Sequence, residues 1–393
     1  MSRLLLVITY IALLMDGDER MRPLEGIRVL DFSTLLPGPM ATLILAEAGA
    51  EVIKIERPAI GDEARAYEPR VGRDSLVFAQ LNRGKRSITI DLKAKGAVER
   101  LKPLIVSADV LIEQFRPGVM ERLGLDYEAL RVINPKLIYC SLSGYGRTGP
   151  KAGKAAHDLN YVAESGMLSL TPREGMAPTL PATLIADIGG GAFPAVINIL
   201  LGLQGRIATG KGCHIDLSMN DNVLPFLYWA IGEGLGLQRW PRPGQEKVTG
   251  GSARYNLYRT SDDRYIAAAP LEQRFWEEFC NVIGLPETLR DDSRDPAATM
   301  VGVAAAIGVE TAEHWRRAFD GVDACVSVVA TLEEALNDPH YRARGAFAYC
   351  VAAGGRAMPA VPIPVDATFR LDPGACGYPE LGEANALLSA EDP

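Results

Sequence analysis

The chain has 393 residues, 48% of them hydrophobic, which is enough to bury a sizeable core in two or three domains. Its formal net charge of -8 gives no general attraction to nucleic acid or to anionic membranes, so we expect neither as a partner. The six cysteines form no CxxC pair, which predicts reduced thiols in a cytoplasmic protein, without a zinc cluster or a disulfide framework.

An apolar run opens the chain and ends before the acidic residues Asp16, Asp18 and Glu19. The run is too short to span a bilayer, and no small-residue cleavage site follows it, which argues against a secretory signal. We therefore expect residues 1–20 to be a disordered extension or the product of an upstream translation start.

Short strand patterns alternate with helical patterns through the first half of the chain. The segments IRVLDFS, AEVIKIE and DVLIEQF are typical of buried strands, and apolar helical stretches lie between them. This alternation predicts an α/β fold with a mainly parallel sheet covered by helices.

Gly, Pro and charged residues are concentrated in one segment of the second half, which indicates a linker. The Pro-rich tail is typical of extended chain that returns to the first domain. The predicted division is a large domain at 21–235, a linker at 236–253, a small α/β domain at 254–344 and a C-terminal segment at 345–393.

The first strand is followed by a turn of Pro37, Gly38 and Pro39, where nucleotide-binding α/β folds place their phosphate loop. The turn matches neither GxGxxG nor GxxxxGKT, so nicotinamide and ATP binding are rejected. A tight strand-to-helix turn and a turn that contacts a ligand both remain open.

Basic residues follow or precede several of the predicted strands. Strand ends are where such sheets bind ligands, and clustered cations suit a polyphosphate, although surface Lys and Arg are often merely solvated. The cluster consists of Arg57, Arg83, Lys85, Arg86, Lys93, Arg116 and Arg122.

Four histidines are present, and one of them differs from the rest. We expect His214, His314 and His340 to be structural or exposed. His157 stands in a loop of small residues that enters an apolar segment, so it is a candidate for acid–base catalysis, although a histidine beside an aspartate is common by chance.

Two acidic residues lie where helices are expected to begin. Asp187 interrupts an apolar stretch just before three glycines, so we expect it at the N-cap or in the first turn of a largely buried helix. Capping and contact with a ligand are compatible roles there. Glu272 should begin a helix after a strand and complement the helix dipole.

Four long blocks occur in a characteristic order: DFSTLLPGPMATLILAEAGAEVIKIERP, NRGKRSITIDLK, ADVLIEQFRPGVMERLGLDYE and LIYCSLSGYGRTGP. Together they resemble the family III CoA-transferases and their racemase branch. The resemblance implies a large Rossmann-like domain and a small domain in an interlocked homodimer, with active sites where the large domain of one chain meets the small domain of its partner.

The same resemblance implies that the ligand is an acyl-CoA thioester, with no cofactor beyond its CoA moiety and no metal. It also implies which residues hold CoA. These are Arg57, Lys93, Arg116 and Arg122 on the phosphates and adenine, with Ile90 and Gln114 nearby.

The segment AAHDLNYVAESGML resembles the racemase branch in particular. The resemblance implies that His157 and Asp187 move protons on opposite faces of one carbon, and that Glu272 orients His157. The backbone N–H of Asp158 is then the donor to the enolate oxygen.

Three functions follow from these observations. The first is a racemase that interconverts (R)- and (S)-2-methylacyl-CoA through an enolate. The second is a CoA-transferase in which Asp187 attacks the thioester and forms an anhydride, which needs neither His157 nor Glu272. The third is an inert CoA-binding scaffold, against which the presence of all three acid–base residues argues. The acyl chain stays open.

Overall fold

The protein is described by a computed structural model, which covers residues 21–71, 75–171, 175–370 and 374–388. The predicted extension at 1–20 lies outside these residues. All six cysteines are free thiols.

The chain forms two compact units, each assembled from separate stretches of sequence. The predicted linker and the residues just before it fall inside the second unit, and the C-terminal segment belongs to the first. The first unit comprises the chain up to Asp158, Leu184–Asn222 and the chain from Arg344, and the second comprises Leu159–Thr183 and Val223–Ala343.

Six parallel strands form the central sheet of the first unit, which confirms the predicted α/β class. The strands are β1 (Arg28–Asp31), β2 (Glu51–Glu56), β3 (Arg86–Thr89), β4 (Val110–Glu113), β5 (Ile138–Ser143) and β6 (Cys213–Ser218). Their order is β3-β2-β1-β4-β5-β6, so the chain reverses direction across the sheet between β1 and β4. Doubly wound sheets bind ligands at this place, outside the carboxyl ends of the strands.

Helices cover the two faces of this sheet. They are α1 (Pro37–Glu47), α2 (Leu76–Asn82), α3 (Ala97–Ser107), α4 (Val119–Leu123), α5 (Tyr127–Ile133) and α7 (Phe193–Thr209). The helix α6 (Asp158–Glu164) lies, after its first residue, in the second unit. The core on one face joins Leu30, Ile53 and Leu111 of the strands to Leu101 and Leu104 of α3, all of them buried.

The sequence predicts one helix around MERLGLDYEALRVI, and the structure has two. Gly124 ends α4 in the left-handed region at φ 67°, which favours glycine. Asp126 then caps α5 by accepting hydrogen bonds from the N–H groups of Glu128 and Ala129. The chain therefore turns between the two helices.

The second unit has its own antiparallel sheet and its own core. Trp276 and Phe279 lie at the centre of that core, with Ile266, Val303 and Trp315 around them. Its strands are β7 (Asn256–Arg259), β8 (Tyr265–Ala268) and β9 (Val326–Val328), and its helices are α8 (Tyr228–Leu237), α9 (Gln273–Val282), α10 (Pro296–Ile307), α11 (Ala312–Ala318), α12 (Leu332–Asn337) and α13 (Pro339–Ala343).

A small third sheet completes the first unit. It has the order β11-β10-β12 and consists of β10 (Cys350–Ala353), β11 (Arg356–Pro359) and β12 (Ala375–Gly377). Val351 of β10 packs against Ala79 of α2, so the C-terminal segment lies on the helical layer.

The apolar stretch after Asp187 forms a continuous helix of 24 residues, Ala186–Thr209. It is long and apolar enough to cross a membrane by length and composition, a property that core helices share. The expectation that it is largely buried is wrong, because only Ala195 and Ile199 of α7 are buried. One side of α7 packs against β5 and β6, whereas Leu201 and Ile207 are 63% and 79% exposed.

Candidate active site

A surface cleft with a volume of about 800 Å³ lies outside the ends of β2, β3 and β4. Its lining includes Arg57, Lys93 and Arg122, three of the residues predicted to hold CoA, together with Phe115 and Val98. The acidic residues Asp91 and Glu99 also line the cleft, so three cations, two carboxylates and apolar surface face the space. Cations and apolar surface are what a nucleotide phosphate and its base require.

The cations of the cleft are available to a ligand to different degrees. Arg57 forms an exposed ion pair with Glu63 at 2.6 Å. Lys93 and Arg122 are exposed, and neither forms an ion pair within the described part of the chain. Arg116 is exposed on the turn after β4 but is not among the cleft residues. A phosphate ligand would give Lys93 and Arg122 the charged partner that they lack among these residues.

Gln114 joins the carboxyl end of β4 to the start of α1. Its side-chain Oε1 accepts a hydrogen bond of 2.9 Å from the N–H of Gly38. A Cβ at position 38 would lie 2.3 Å from this Oε1 and 2.2 Å from the Cβ of Ser33, so only glycine fits there. Pro37, Gly38 and Pro39, predicted as a turn, instead form the first turn of α1, at the reversal point between β1 and β4.

Glu113 and Ile90 have structural roles that the sequence did not reveal. The carboxylate of Glu113 accepts a 2.8 Å hydrogen bond from the N–H of Phe115 and so fixes the turn after β4. Burial raises the pKa of Glu113 to about 7, while a hydrogen bond from Ser141 acts in the opposite direction. The side chain of Ile90 is 2% exposed and belongs to the core, so its side chain is closed to a ligand.

Asp187 lies in a π-helical segment, Ala186–Ala192, that leads into α7. The predicted first-turn position is confirmed, but the wider π-helical turn, a form frequent at functional sites, was not predicted. The buried carboxylate of Asp158 accepts hydrogen bonds from the N–H groups of Ala186 at 2.7 Å and Asp187 at 2.9 Å. Asp158 therefore caps the segment that carries Asp187.

The environment of Asp187 favours its protonated form. Burial and the neighbouring Asp158 carboxylate raise the pKa of Asp187 to about 6, and the positive charge of His157 acts in the opposite direction. His157 itself is exposed, immediately before Asp158 at the start of α6. The structure thus places His157, Asp158 and Asp187 within electrostatic range of one another.

Glu272 belongs to the second unit, where it is the N-cap residue of α9. Its side chain makes no capping hydrogen bond, and its backbone carbonyl accepts one from the N–H of Trp276 at 3.0 Å. The carboxylate is exposed and does not serve the helix as a cap. Its predicted pairing with His157 stays a prediction.

A buried charge network lies beneath the start of α1, and the sequence analysis missed it. Lys54 pairs with Asp62 at 2.9 Å, and Lys85 pairs with Asp31 at 3.2 Å, with all four side chains fully buried. Although burial acts to raise it, Lys54 and Lys85 hold the pKa of Asp31 below its usual range. A charge inside an otherwise apolar strand, such as Lys54 in VIKIE, was the signal that a buried partner exists.

Three basic residues of the predicted phosphate cluster are paired with carboxylates. Lys85 is buried in the network just described, and burial lowers its pKa to about 7. Arg83 donates to Glu47 at 2.6 Å, and Arg86 donates to Glu51 at 2.8 Å. These residues hold helices and strands in place, and none of them lines the cleft of Arg57, Lys93 and Arg122.

The glycines after Asp187 allow the π-helical segment to approach its surroundings closely. A Cβ at Gly191 would lie 3.1 Å from both Met219 and the Cβ of Pro37. The segment with Asp187 therefore packs directly against the turn that Gln114 holds. Among the residues that the structure describes, no group of three or more His, Cys, Asp or Glu side chains is arranged to hold a metal.

Known proteins resemble this chain over most of its length. The human alpha-methylacyl-CoA racemase is 38% identical over 329 residues, which are 82% of each chain. The acetyl-CoA:oxalate CoA-transferase of Acetobacter aceti is 36% identical and covers 94% of this chain and 95% of its own. A crystal structure of a CAIB/BAIF family protein from Brucella suis matches with a TM-score of 0.80 at 28% identity, over 93% of this chain and 98% of that one.

The relatives of similar identity thus include both racemases and transferases. The family model of the CoA-transferases spans residues 24–385, which is nearly all of the described chain. Together with the parallel sheet order and the matching structure, this shows that the chain belongs to CoA-transferase family III.

Proposed function

We propose that this enzyme is a 2-methylacyl-CoA racemase that interconverts the (R) and (S) thioesters by moving one proton through an enolate. The observation that carries the proposal is the juxtaposition of His157 with a half-buried Asp187 whose pKa is raised to about 6. A racemase needs two acid–base groups around one carbon, and groups with a pKa near the working pH serve best.

In the proposed reaction, one of the two residues removes the proton next to the thioester carbonyl, and the other returns a proton to the opposite face. Reversing these roles gives the reverse reaction. The N–H of Asp158 is the proposed donor to the enolate oxygen. Since Asp158 begins α6, this N–H has no partner within the helix, and its side chain is already used to hold Ala186 and Asp187.

CoA is proposed to bind in the cleft of Arg57, Lys93 and Arg122, with Gln114 and Arg116 on the turn beside it. Exposed cations without an ion-pair partner make strong charge-assisted hydrogen bonds to phosphate oxygens. The CoA moiety is part of the substrate, and the proposed chemistry requires no additional cofactor.

The rival proposal is a CoA-transferase, which the 36% identical oxalate enzyme supports. Asp187 would then act as a nucleophile on the thioester, a role that needs no histidine beside it. The presence of His157 beside Asp187 favours the racemase.

The deciding experiment incubates the enzyme with a single-epimer 2-methylacyl-CoA in D₂O, with and without a free carboxylic acid. We expect deuterium at the 2-position without the acid, and His157→Ala should reduce this exchange by about 10²- to 10⁴-fold. Glu272→Gln should lose less, because the imidazole remains. His314→Ala is the matched control, since His314 is an exposed histidine paired with Glu310, and it should exchange normally.

A transferase gives the opposite pattern. CoA would move readily to the added acid, His157→Ala would keep that activity, and no deuterium would enter a broad panel of 2-methylacyl-CoA substrates. That result would exclude the racemase and leave the CoA site intact.

The enzyme is further proposed to act as a homodimer. The exposed apolar side of α7 supports this, because Ile197, Leu201 and Ile207 are 56%, 63% and 79% exposed, more apolar surface than one helix usually presents to water. Analytical ultracentrifugation should find a dimer that dilution does not dissociate. A folded monomer would contradict the proposal.

A further inference from the structure

A second cavity lies in the first unit, at the other end of α1 from the proposed active site. Its volume is about 310 Å³, and we name it the arginine cavity after the residues that line it: Arg22, Glu47, Arg83, Tyr349, Arg370 and Cys376. Glu47 is the last residue of α1 and Gly38 one of the first, so the rise of the helix separates the two places by roughly 14 Å along its axis.

Positive charge exceeds negative charge among the described residues of this cavity. The three guanidinium groups are balanced by only two carboxylates, since Glu47 pairs with both Arg83 and Arg370 and Arg22 pairs with Glu25 at 3.7 Å. The side chains of Arg83 and Arg370 are only 2% and 8% exposed, so water screens their charges poorly. Burial lowers the pKa of Arg83, Glu47 offsets part of this effect, and Arg370 lowers the pKa further.

Two donors of the cavity residues are left without an acceptor. The Nε atoms of Arg22 and Arg370 are buried and make no hydrogen bond with any residue that the structure describes. The guanidinium of Arg370 is held rigidly, since its central carbon lies 3.3 Å from the centre of the Tyr349 ring. A buried donor without a partner is costly, and an oxyanion would satisfy these donors and the excess charge together.

We propose that the arginine cavity binds a small oxyanion, a carboxylate or a phosphate, at a site separate from the CoA cleft. Arginine is suited to this because its planar fork matches the oxygens of both groups. The volume is at the lower end of the range for ligand pockets, which limits the ligand to a small molecule. The proposal does not depend on the acyl-CoA reaction.

Cys376 gives a direct measurement of occupancy, because its exposed thiol lies on the cavity lining. The full chain is treated with iodoacetamide in phosphate, in succinate or in chloride at equal ionic strength, and alkylation is followed by peptide mass spectrometry. Phosphate or succinate should slow alkylation of Cys376 by the factor 1 + [L]/Kd, about tenfold at ten times Kd. Comparing the phosphate and succinate arms identifies the preferred group.

Cys325 is the matched control, because it is an exposed thiol in the second unit. It should react at the same rate in all three salts. Equal rates for Cys376 in all three salts, or equal slowing of both thiols by the oxyanions, would overturn the proposal.

Two variants test the residues. Arg370→Lys keeps the charge but loses the fork. Arg22→Gln removes a partly exposed cation whose ion-pair partner is the exposed Glu25, so it should fold even if the first variant does not. Each should weaken the protection of Cys376 about tenfold, the effect of one charged hydrogen bond. Unchanged protection of Cys376 in both single variants would overturn the assignment.

Two further variants separate this site from other sources of charge. Arg122→Ala in the CoA cleft should leave the protection of Cys376 unchanged, and a loss there would mean that the effect comes from the CoA site.

Asp372 follows Arg370 closely in sequence and lies outside the described residues. Protection that appears only in Asp372→Asn would show that the chain supplies its own carboxylate, and would overturn the proposal.

Discussion

Two groups of cations surround the central sheet of the first unit, and they differ in burial and pairing. Lys54 and Lys85 are fully buried and paired with carboxylates, whereas Lys93 and Arg122 are exposed and form no ion pair among the described residues. Lys54 lies within a strand, Lys85 precedes one, Lys93 follows one and Arg122 lies in α4, the helix after β4. The position of a cation along the chain therefore does not tell whether it stabilises the fold or is available to bind a ligand.

The largest expected effect comes from removing a buried cation. Lys54→Met leaves Asp62 buried without its cation, which should lower the free energy of unfolding by about 3–5 kcal/mol. Urea denaturation measures the loss. The matched change Lys93→Met, at an exposed cation of the cleft, should change the free energy of unfolding by no more than about 0.5 kcal/mol. An equal loss of stability in both variants would remove the distinction between buried and exposed cations.

The exposed group should show its effect in binding instead. Arg122→Ala should weaken CoA thioester binding by about 1.5–3 kcal/mol, because a hydrogen bond to a charged phosphate is lost. Arg57→Ala should weaken it in the same range. Calorimetry gives both values, and Arg131→Ala is the control, since Arg131 is an exposed arginine on α5 paired with Glu128. Unchanged affinity in both cleft variants would refute the CoA assignment.

Asp187 lies between these extremes, because it is half-buried and His157 only partly offsets the effect of its burial. Its pKa is raised to about 6 from an ordinary 3.8, so the folded state resists its ionisation and loses stability as pH rises between these values. Asp187→Asn should therefore raise the free energy of unfolding at pH 8 by about 1–2 kcal/mol after solvent screening, with no gain below the ordinary pKa. A gain that does not depend on pH would contradict this explanation.

The sequence predicted the parallel sheet because strands buried on both faces read as apolar runs separated by helices. It also predicted that Arg57, Lys93 and Arg122 lie near one another, since strand ends meet at one edge of a parallel sheet. The pairing of Arg83 and Lys85 was not predictable in the same way. Their partners Glu47 and Asp31 lie 36 and 54 residues away in the chain, and nothing local distinguishes such pairs.

The surroundings of Asp187 were also beyond the sequence. A π-helical turn shows the same run of small and apolar residues as an ordinary helix, so its wider geometry leaves no sequence pattern. The role of Asp158 as a cap was missed for a different reason. Its acceptor contacts are with Ala186 and Asp187, nearly thirty residues later.

The close approach around Gly38 and Gly191 has a consequence for engineering the substrate range. A library that varies residues near Asp187 to accept other acyl chains should leave these two positions unchanged. Even alanine at Gly38 would collide with Ser33 and Gln114, and alanine at Gly191 would press on Pro37 and Met219. Variants at Gly38 would be lost to misfolding rather than to altered selectivity, whereas a variant at Gly191 requires Met219 and Pro37 to shift by a few tenths of an ångström.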